Sequence, residues 1–340
     1  MIKTKQRVYF FDNLKFLLII LVVIGHVINF YIDSYKFFRI IFIFIYTFHM
    51  PLFVFITGLF QKKITNYNNF PWKRILYYLI LVYCMKITIF SISNYFKLDE
   101  EIRFLGGAEY YWYLVVISFY IICNPIINKI NFKFLFIFSI IISLTFGYDA
   151  SLGDLLYLSR TIVFFPFYLL GYKYCNNKEQ LLSFFNKKRF KIIALIILIS
   201  FSIICIKGID LIYEYRRLLT GKNSYLIVFG AKCEWYHRLV YYIASLLVGM
   251  SILFIVPKRK IKIISNLGKK TLQIYILHQP LNYFFMGIGL YNLLEKEFGN
   301  LYFKFILLLI AIIITFFLSL NLFRNSLKHF SNIIFTSTEW

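Results

Sequence analysis

Ten stretches of this chain are apolar for long enough to cross a bilayer, at roughly 14–32, 37–60, 75–96, 110–127, 132–148, 157–174, 190–209, 238–256, 270–290 and 303–323. A run of about 20 apolar residues matches the hydrocarbon thickness when coiled as a helix. Hydrophobic residues make up 60% of the 340 positions and aromatics 21%, more apolar surface than a soluble fold of this length needs. The expectation is an all-α polytopic integral membrane protein with about ten transmembrane helices in one domain, 1–340. The net charge of +23 is then read against a membrane before it is read as nucleic-acid binding, and no nucleic-acid partner is expected.

Flanking charges orient the bundle. With the N-terminus inside, 23 of the 38 Lys and Arg residues fall in cytoplasmic segments and 12 in the opposite loops, while Lys15, Lys86 and Arg160 lie within spans. The positive-inside bias therefore places both termini in the cytoplasm. His26 interrupts the first apolar run and no small-residue cleavage site follows, so this run reads as a retained helix and not as a removed signal peptide. The five cysteines are scattered and odd in number, suggesting neither a disulfide framework nor a metal site. The longest loop, 207–237, alternates charges with Tyr and Leu; it reads either as a lid over an outer cavity or as a solvated connection.

An ionisable side chain at mid-membrane costs several kcal/mol unless it meets a partner or a cavity, so His26 is a functional candidate. Lys15 precedes it by eleven residues, about 1100° of helix or roughly 20° net, which puts both on one face about 16 Å apart. His49 and His278 fall in the middle third of a ~30 Å core on the same reckoning. Imidazole suits proton transfer because its pKa lies near neutrality; packing against a neighbouring helix is the rival use. No Cys, Asp or Glu cluster accompanies the histidines, and no metal is expected.

Other segments allow two readings each. Pro51 follows His49 and Met50 and would kink the helix beside that histidine, although proline is common in membrane helices. Lys73 and Arg74 open the third helix, either as positive-inside charge or as contacts for an anionic ligand. Lys86, deeper in that helix, would pair with a phosphate, a carboxylate or a backbone carbonyl, or snorkel outward. The cluster Tyr110-Tyr111-Trp112-Tyr113 is an interfacial belt or a stacking surface for sugar rings. Arg160 opens the sixth helix as an interface anchor or as a fork for a substrate oxygen.

The runs Phe11-Asp12-Asn13-Leu14-Lys15-Phe16 through Gly25-His26, Phe48-His49-Met50-Pro51-Leu52 through Gly58, Ser159-Arg160 through Gly171, and Leu272-Gln273-Ile274-Tyr275-Ile276-Leu277-His278 occur in this order. They resemble the acyltransferase 3 family of membrane acyltransferases, with the nearest likeness to its fucose 4-O-acetylase-like branch. The resemblance implies a ten-helix enzyme that takes an acyl group from cytoplasmic acyl-CoA and delivers it to a hydroxyl of an extracytoplasmic glycan. The family's basic residue, ten-residue spacer and histidine fall on Lys15 and His26, and its third-helix arginine falls on Arg74. Two departures stand out. Many relatives have arginine where this chain has Lys15, and many carry a Glu after the fourth-helix Trp where this chain reads Val115-Val116-Ile117-Ser118.

The resulting expectation is an acyl-CoA-dependent O-acetyltransferase of a cell-surface polysaccharide in a bacterial cytoplasmic membrane, with acetyl-CoA as donor and a lipid-linked glycan as another possible acceptor. His26 is the candidate general base or transient acyl carrier. Asp12 and Lys15 would orient the entrance, Lys15, Lys73 and Arg74 would hold CoA phosphates, and His49 and His278 would line the path. Trp112, Tyr113 and Arg160 would face the acceptor. A transporter or flippase of lipid-linked glycans, and behind it a glycan polymerase, would use similar residues without a CoA site.

Overall fold

The computed structural model describes residues 9–334 except 65–66, 68–69, 99–102, 104, 107–109, 152–154 and 230–232. In chain order the helices are α1 (Tyr9–Ile28), α2 (Lys36–Phe60), α3 (Trp72–Phe96), α4 (Trp112–Ile127), α5 (Phe132–Thr145), α6 (Leu158–Lys173), α7 (Lys178–Phe185), α8 (Arg189–Lys207), α9 (Ile209–Ile212), α10 (Arg216–Leu219), α11 (Tyr225–Phe229), α12 (Trp235–Ile255), α13 (Lys262–Leu267), α14 (Thr271–Gly287), α15 (Leu290–Leu318) and α16 (Asn321–Ile334). The described residues contain no strand, and the protein is an all-α polytopic membrane protein. Helices α1, α2, α3, α8, α12 and α15, and α6 together with the helical turn at Leu155–Tyr157 that leads into it, are each long and apolar enough to cross a membrane. At the fourth, fifth and ninth expected segments, α4, α5 and α14 are shorter, with 16, 14 and 17 residues.

Two boundaries differ from the sequence reading. Helix α1 already includes Tyr9, five residues before the expected start at 14, so Asp12 sits in regular helix with Lys15 and not in the lead-in to it. Helix α15 begins at Leu290, thirteen residues before the expected start at 303, because a break at Gly299 (φ 65°, ψ 169°) joins a polar first part to the apolar span. Such a backbone conformation is open to glycine and strained for other residues.

Burial sorts the helices. In α2 67% of the apolar window is buried inside the protein, against 11% in α8, so α2 runs through the centre and α8 lines the lipid-facing edge. Helix α2 packs on α6 at backbone distance, which two glycines permit. A Cβ added to Gly58 would lie 2.2 Å from the Tyr168 carbonyl oxygen, and one added to Gly171 would lie 1.9 Å from the Phe55 carbonyl oxygen. Small residues at a membrane helix interface allow this close approach, and van der Waals contact then replaces the missing hydrophobic drive between helices.

This contact fixes the spacing of His49 on α2 and Arg160 on α6. Gly171→Ala is therefore expected to part the two helices and destabilise the fold by about 1–3 kcal/mol. Thermal unfolding of the purified variant in detergent checks this; an unchanged midpoint would show that the contact yields easily.

Candidate active site

The basic end of the bundle carries the start of α1, and a polar clamp holds it. Asn13, buried, donates from Nδ2 to the carbonyls of Pro257 (2.8 Å) and Arg259 (3.0 Å), and Ser265 Oγ donates to Asn13 Oδ1 (2.7 Å). Gly268 presses from the same side: a Cβ there would lie 1.8 Å from the Asp12 carbonyl oxygen. The segment around α13 thus fastens α1 one turn below Lys15. Asp12 is buried and pairs with Lys15, whose Nζ lies 3.3 Å from Asp12 Oδ1 and 5.4 Å from the Phe60 ring centroid. The pair leaves Lys15 partly accessible beside a cavity of about 320 Å³.

That lower cavity is lined by Lys15, Arg74, Tyr78, Thr57, Tyr113 and apolar residues of α1, α2, α4 and α14. Arg74 Nε donates to Tyr78 Oη at 3.0 Å, one turn along α3. The two cations thus stand at the basic end of a mostly apolar shaft. Lys73, by contrast, is exposed and outside the lining. A residue one step along a helix is turned by about 100°, so only one of these neighbours faces the cavity.

Deeper in the bundle a second cavity, about 60 Å³, is lined by His26, His49, Tyr110, Trp112, Arg160 and Thr220, among others. It has room for about two water molecules or a group of that size. The His26 ring lies 5.2 Å from the ring of His278 and 5.3 Å from that of Tyr110. His49 Nδ1 lies 2.7 Å from the Ile45 carbonyl and His278 Nδ1 lies 3.1 Å from the Ile274 carbonyl. A carbonyl only accepts, so each Nδ1 carries the proton and each Nε2 presents a lone pair. His278 Nε2 is buried without a hydrogen-bond partner among the described residues. Arg160 is buried, donates from Nε to the Thr220 carbonyl (3.2 Å) and lies 4.9 Å from the Trp112 ring centroid, with Phe164 stacked on that ring at 5.2 Å.

The two cavities share Val22, Met50 and Tyr275 in their walls. One residue from each of α1, α2 and α14 therefore forms the partition between the Lys15 chamber and the His26 chamber. His278 is outside both linings and supports His26 from behind.

Two expected positions change. Tyr113, expected on the acceptor side with Trp112, lines the lower cavity and bonds through Oη to Thr57 Oγ1 at 2.5 Å. Trp112 faces the upper cavity and is buried; neither is part of an interfacial belt. Neighbours on a helix diverge, so α4 presents Trp112 to one chamber and Tyr113 to the other. Sequence reasoning also missed Tyr275, whose Oη donates to the Tyr110 carbonyl at 2.7 Å. Its position three residues before His278 puts both on one helical face, which was the available signal.

The described residues of the 207–237 segment, 207–229 and 233–237, form a packed cap and not a solvated connection. Ile209, Leu218 and Tyr225 are buried, and Leu219 and Thr220 reach the upper cavity. Gly221 (φ 68°) rests on α6, where Ser159 Oγ donates to its carbonyl at 2.8 Å. Arg238, buried at the start of α12, donates to the carbonyls of Ser143 (2.6 Å) and Asn223 (3.3 Å) and holds the cap to α5. Lys86 takes the carbonyl option, donating to Arg103 and Gly106 at 3.0 Å each, and so ties these two residues to α3.

A family model described as an acyltransferase domain matches residues 8–324. The chain belongs to the acyltransferase 3 family. Searches of curated proteins and of solved structures returned no match. The protein is a membrane acyltransferase, and the transporter, flippase and polymerase readings fall away. In this acyltransferase the match covers every element that lines the two chambers.

Asn13→Ala would leave the carbonyls of Pro257 and Arg259 and the hydroxyl of Ser265 without their partner. The acyltransferase should lose about 1–3 kcal/mol of stability. A lowered thermal midpoint in detergent is the expected reading, and a midpoint equal to the parent's would show that the clamp is dispensable.

Proposed function

We propose that this acyltransferase carries an acyl group, most simply acetyl, from cytoplasmic acyl-CoA to a hydroxyl of an extracytoplasmic cell-surface glycan in a bacterial membrane. One observation carries the reading: a basic chamber and a histidine chamber meet at Val22, Met50 and Tyr275. The excess of Lys and Arg at the Lys15 end supports a cytoplasmic orientation for that end. The lower chamber, about 320 Å³, suits a narrow acyl-bearing arm and not a nucleotide, so the phosphates would stay at the mouth with Lys15 and Arg74. Lys73 is exposed at the same end and would add only field to that contact.

The chemistry follows from the groups around His26. The acceptor hydroxyl enters the upper chamber past Trp112 and Arg160, and His26 takes its proton as the oxygen attacks the thioester carbonyl. The tetrahedral adduct collapses, the C–S bond breaks, and His26 returns the proton to the departing sulfur. The Nε2 lone pair of His278 is suited to accept the N–H of His26, which would leave the other His26 nitrogen bare for that proton. His49 offers a second lone pair in the same chamber. The Asp12 carboxylate neutralises Lys15 without removing its reach to the chamber.

His26→Ala is expected to lower acyl transfer by roughly 10²–10⁴-fold, with membrane abundance and donor binding near the parent's. Glycan acylation in cells expressing the variant checks this; full acylation would remove His26 from the mechanism.

Arg74→Ala is expected to weaken acetyl-CoA binding by roughly tenfold, and added salt should weaken it in the parent as screening grows. Titration of purified protein tests both, and an affinity equal to the parent's would return Arg74 to a topological role.

A further inference from the structure

A third cavity, about 510 Å³, opens at the basic end on the other side of the α3 and α14 seam. Four cations line it: Lys269 and Lys270 from the turn before α14, and Arg324 and Lys328 from α16. None of these is in an ion pair among the described residues, and the lower chamber shares no cation with this one. Lys270 Nζ donates to the Ser319 carbonyl at 2.6 Å. Desolvation first, and the nearby charge of Arg324 second, hold the Lys270 ammonium below its ordinary pKa. A bound anion would relieve the second of these.

Helix α16 is built to stand over this hollow. Arg324, Lys328 and Ser331 recur at the spacing that keeps one helical face, while Phe323, Leu327, Phe330 and Ile334 pack on the hydrophobic core. The Tyr77 hydroxyl donates to the Leu327 carbonyl at 3.5 Å and links the helix to α3. Ser331, 7% exposed, lines the cavity, and its Oγ has no hydrogen-bond partner among the described residues. A buried hydroxyl left without a partner costs stability, and an acceptor oxygen arriving beneath four cations would meet it. Beside the cavity, the lower end of α15, the turn after it and the start of α16 expose Phe316, Phe317, Leu320 and Leu322.

We propose that this cradle binds a phosphate monoester or diester at the membrane surface, with Arg324 and Lys328 gripping the anion, Lys269 and Lys270 closing on it, and Ser331 donating a hydrogen bond. The same chemistry is offered by a phospholipid headgroup and by a soluble phosphate. The exposed apolar end of α15 favours the lipid, whose tails would lie along that helix while the headgroup enters the cradle. In the orientation given above this is an inner-leaflet site. An amphipathic helix in the interface, with cations on its polar face, is a suitable receiver for anionic lipid.

The test is native mass spectrometry of the full-length protein in detergent, titrated separately with phosphatidylglycerol, phosphatidylcholine and inorganic phosphate. The parent should retain phosphatidylglycerol over phosphatidylcholine, and R324A/K328A should lose that retention by roughly tenfold or more. S331A should weaken it by a smaller factor, and R324K/K328R should restore most of it. K187A/K188A removes equal charge from exposed residues at the same end, outside the cradle, and should leave retention unchanged. Uptake of inorganic phosphate without lipid preference, lost in R324A/K328A, keeps the anion site and assigns it to a soluble source. Equal retention of both lipids with no phosphate uptake overturns the proposal, as does an R324A/K328A variant that retains as much as the parent. Equal losses in K187A/K188A and R324A/K328A would likewise overturn it in favour of general surface charge.

Discussion

Polar groups inside a bilayer have no bulk water to fall back on, so each must be met by another group of the protein or by a cavity. Most of the architecture answers that demand. Lys86 is spent on two carbonyls, Arg238 on two more, Asn13 on a three-way clamp, and Asp12 on Lys15. His26 is different, because it faces a chamber. A side chain that faces a cavity is available for chemistry.

The helices that make this possible are the central ones. Gly58 and Gly171 let α2 and α6 approach at backbone distance, which brings His49 and Arg160 to the same chamber. The clamp on Asn13 fixes the depth of α1, and with it the levels at which Lys15 and His26 stand against the other helices. Tyr275 then joins the ends of the pathway, standing in the wall of both chambers while its hydroxyl holds Tyr110 beside His26. Rigid framing of this kind is what a transfer reaction requires, since reacting atoms must be held close and aligned.

Helix positions and the Lys15–His26 face were legible because hydrophobic length and helical periodicity are local properties. The shared depth that brings His278 to His26 was legible for the same reason, whereas the separation of Trp112 from Tyr113 was not, since it depends on how α4 rotates between α2 and α14. The cap was ambiguous for a related reason: its short helices are held by residues such as Arg238 and Ser159, which reach it from distant parts of the chain. Asn13 read as one letter of a motif, and its partners lie more than 240 positions away. Lys269, Lys270, Arg324 and Lys328 looked like orientation charge in the sequence, and only the fold gathers them around Ser331.

The central claim is that the acyl group passes His26 from one side of the membrane to the other while the CoA stays behind. The most direct measurement uses sealed vesicles containing the purified protein in one orientation, with acyl-labelled CoA enclosed on the Lys15 side and a hydroxyl-bearing glycan acceptor only on the opposite side. The account predicts label on the external acceptor, free CoA retained inside, and neither product with His26→Ala. Transfer that occurs only when donor and acceptor share a compartment, or that continues without His26, would contradict it.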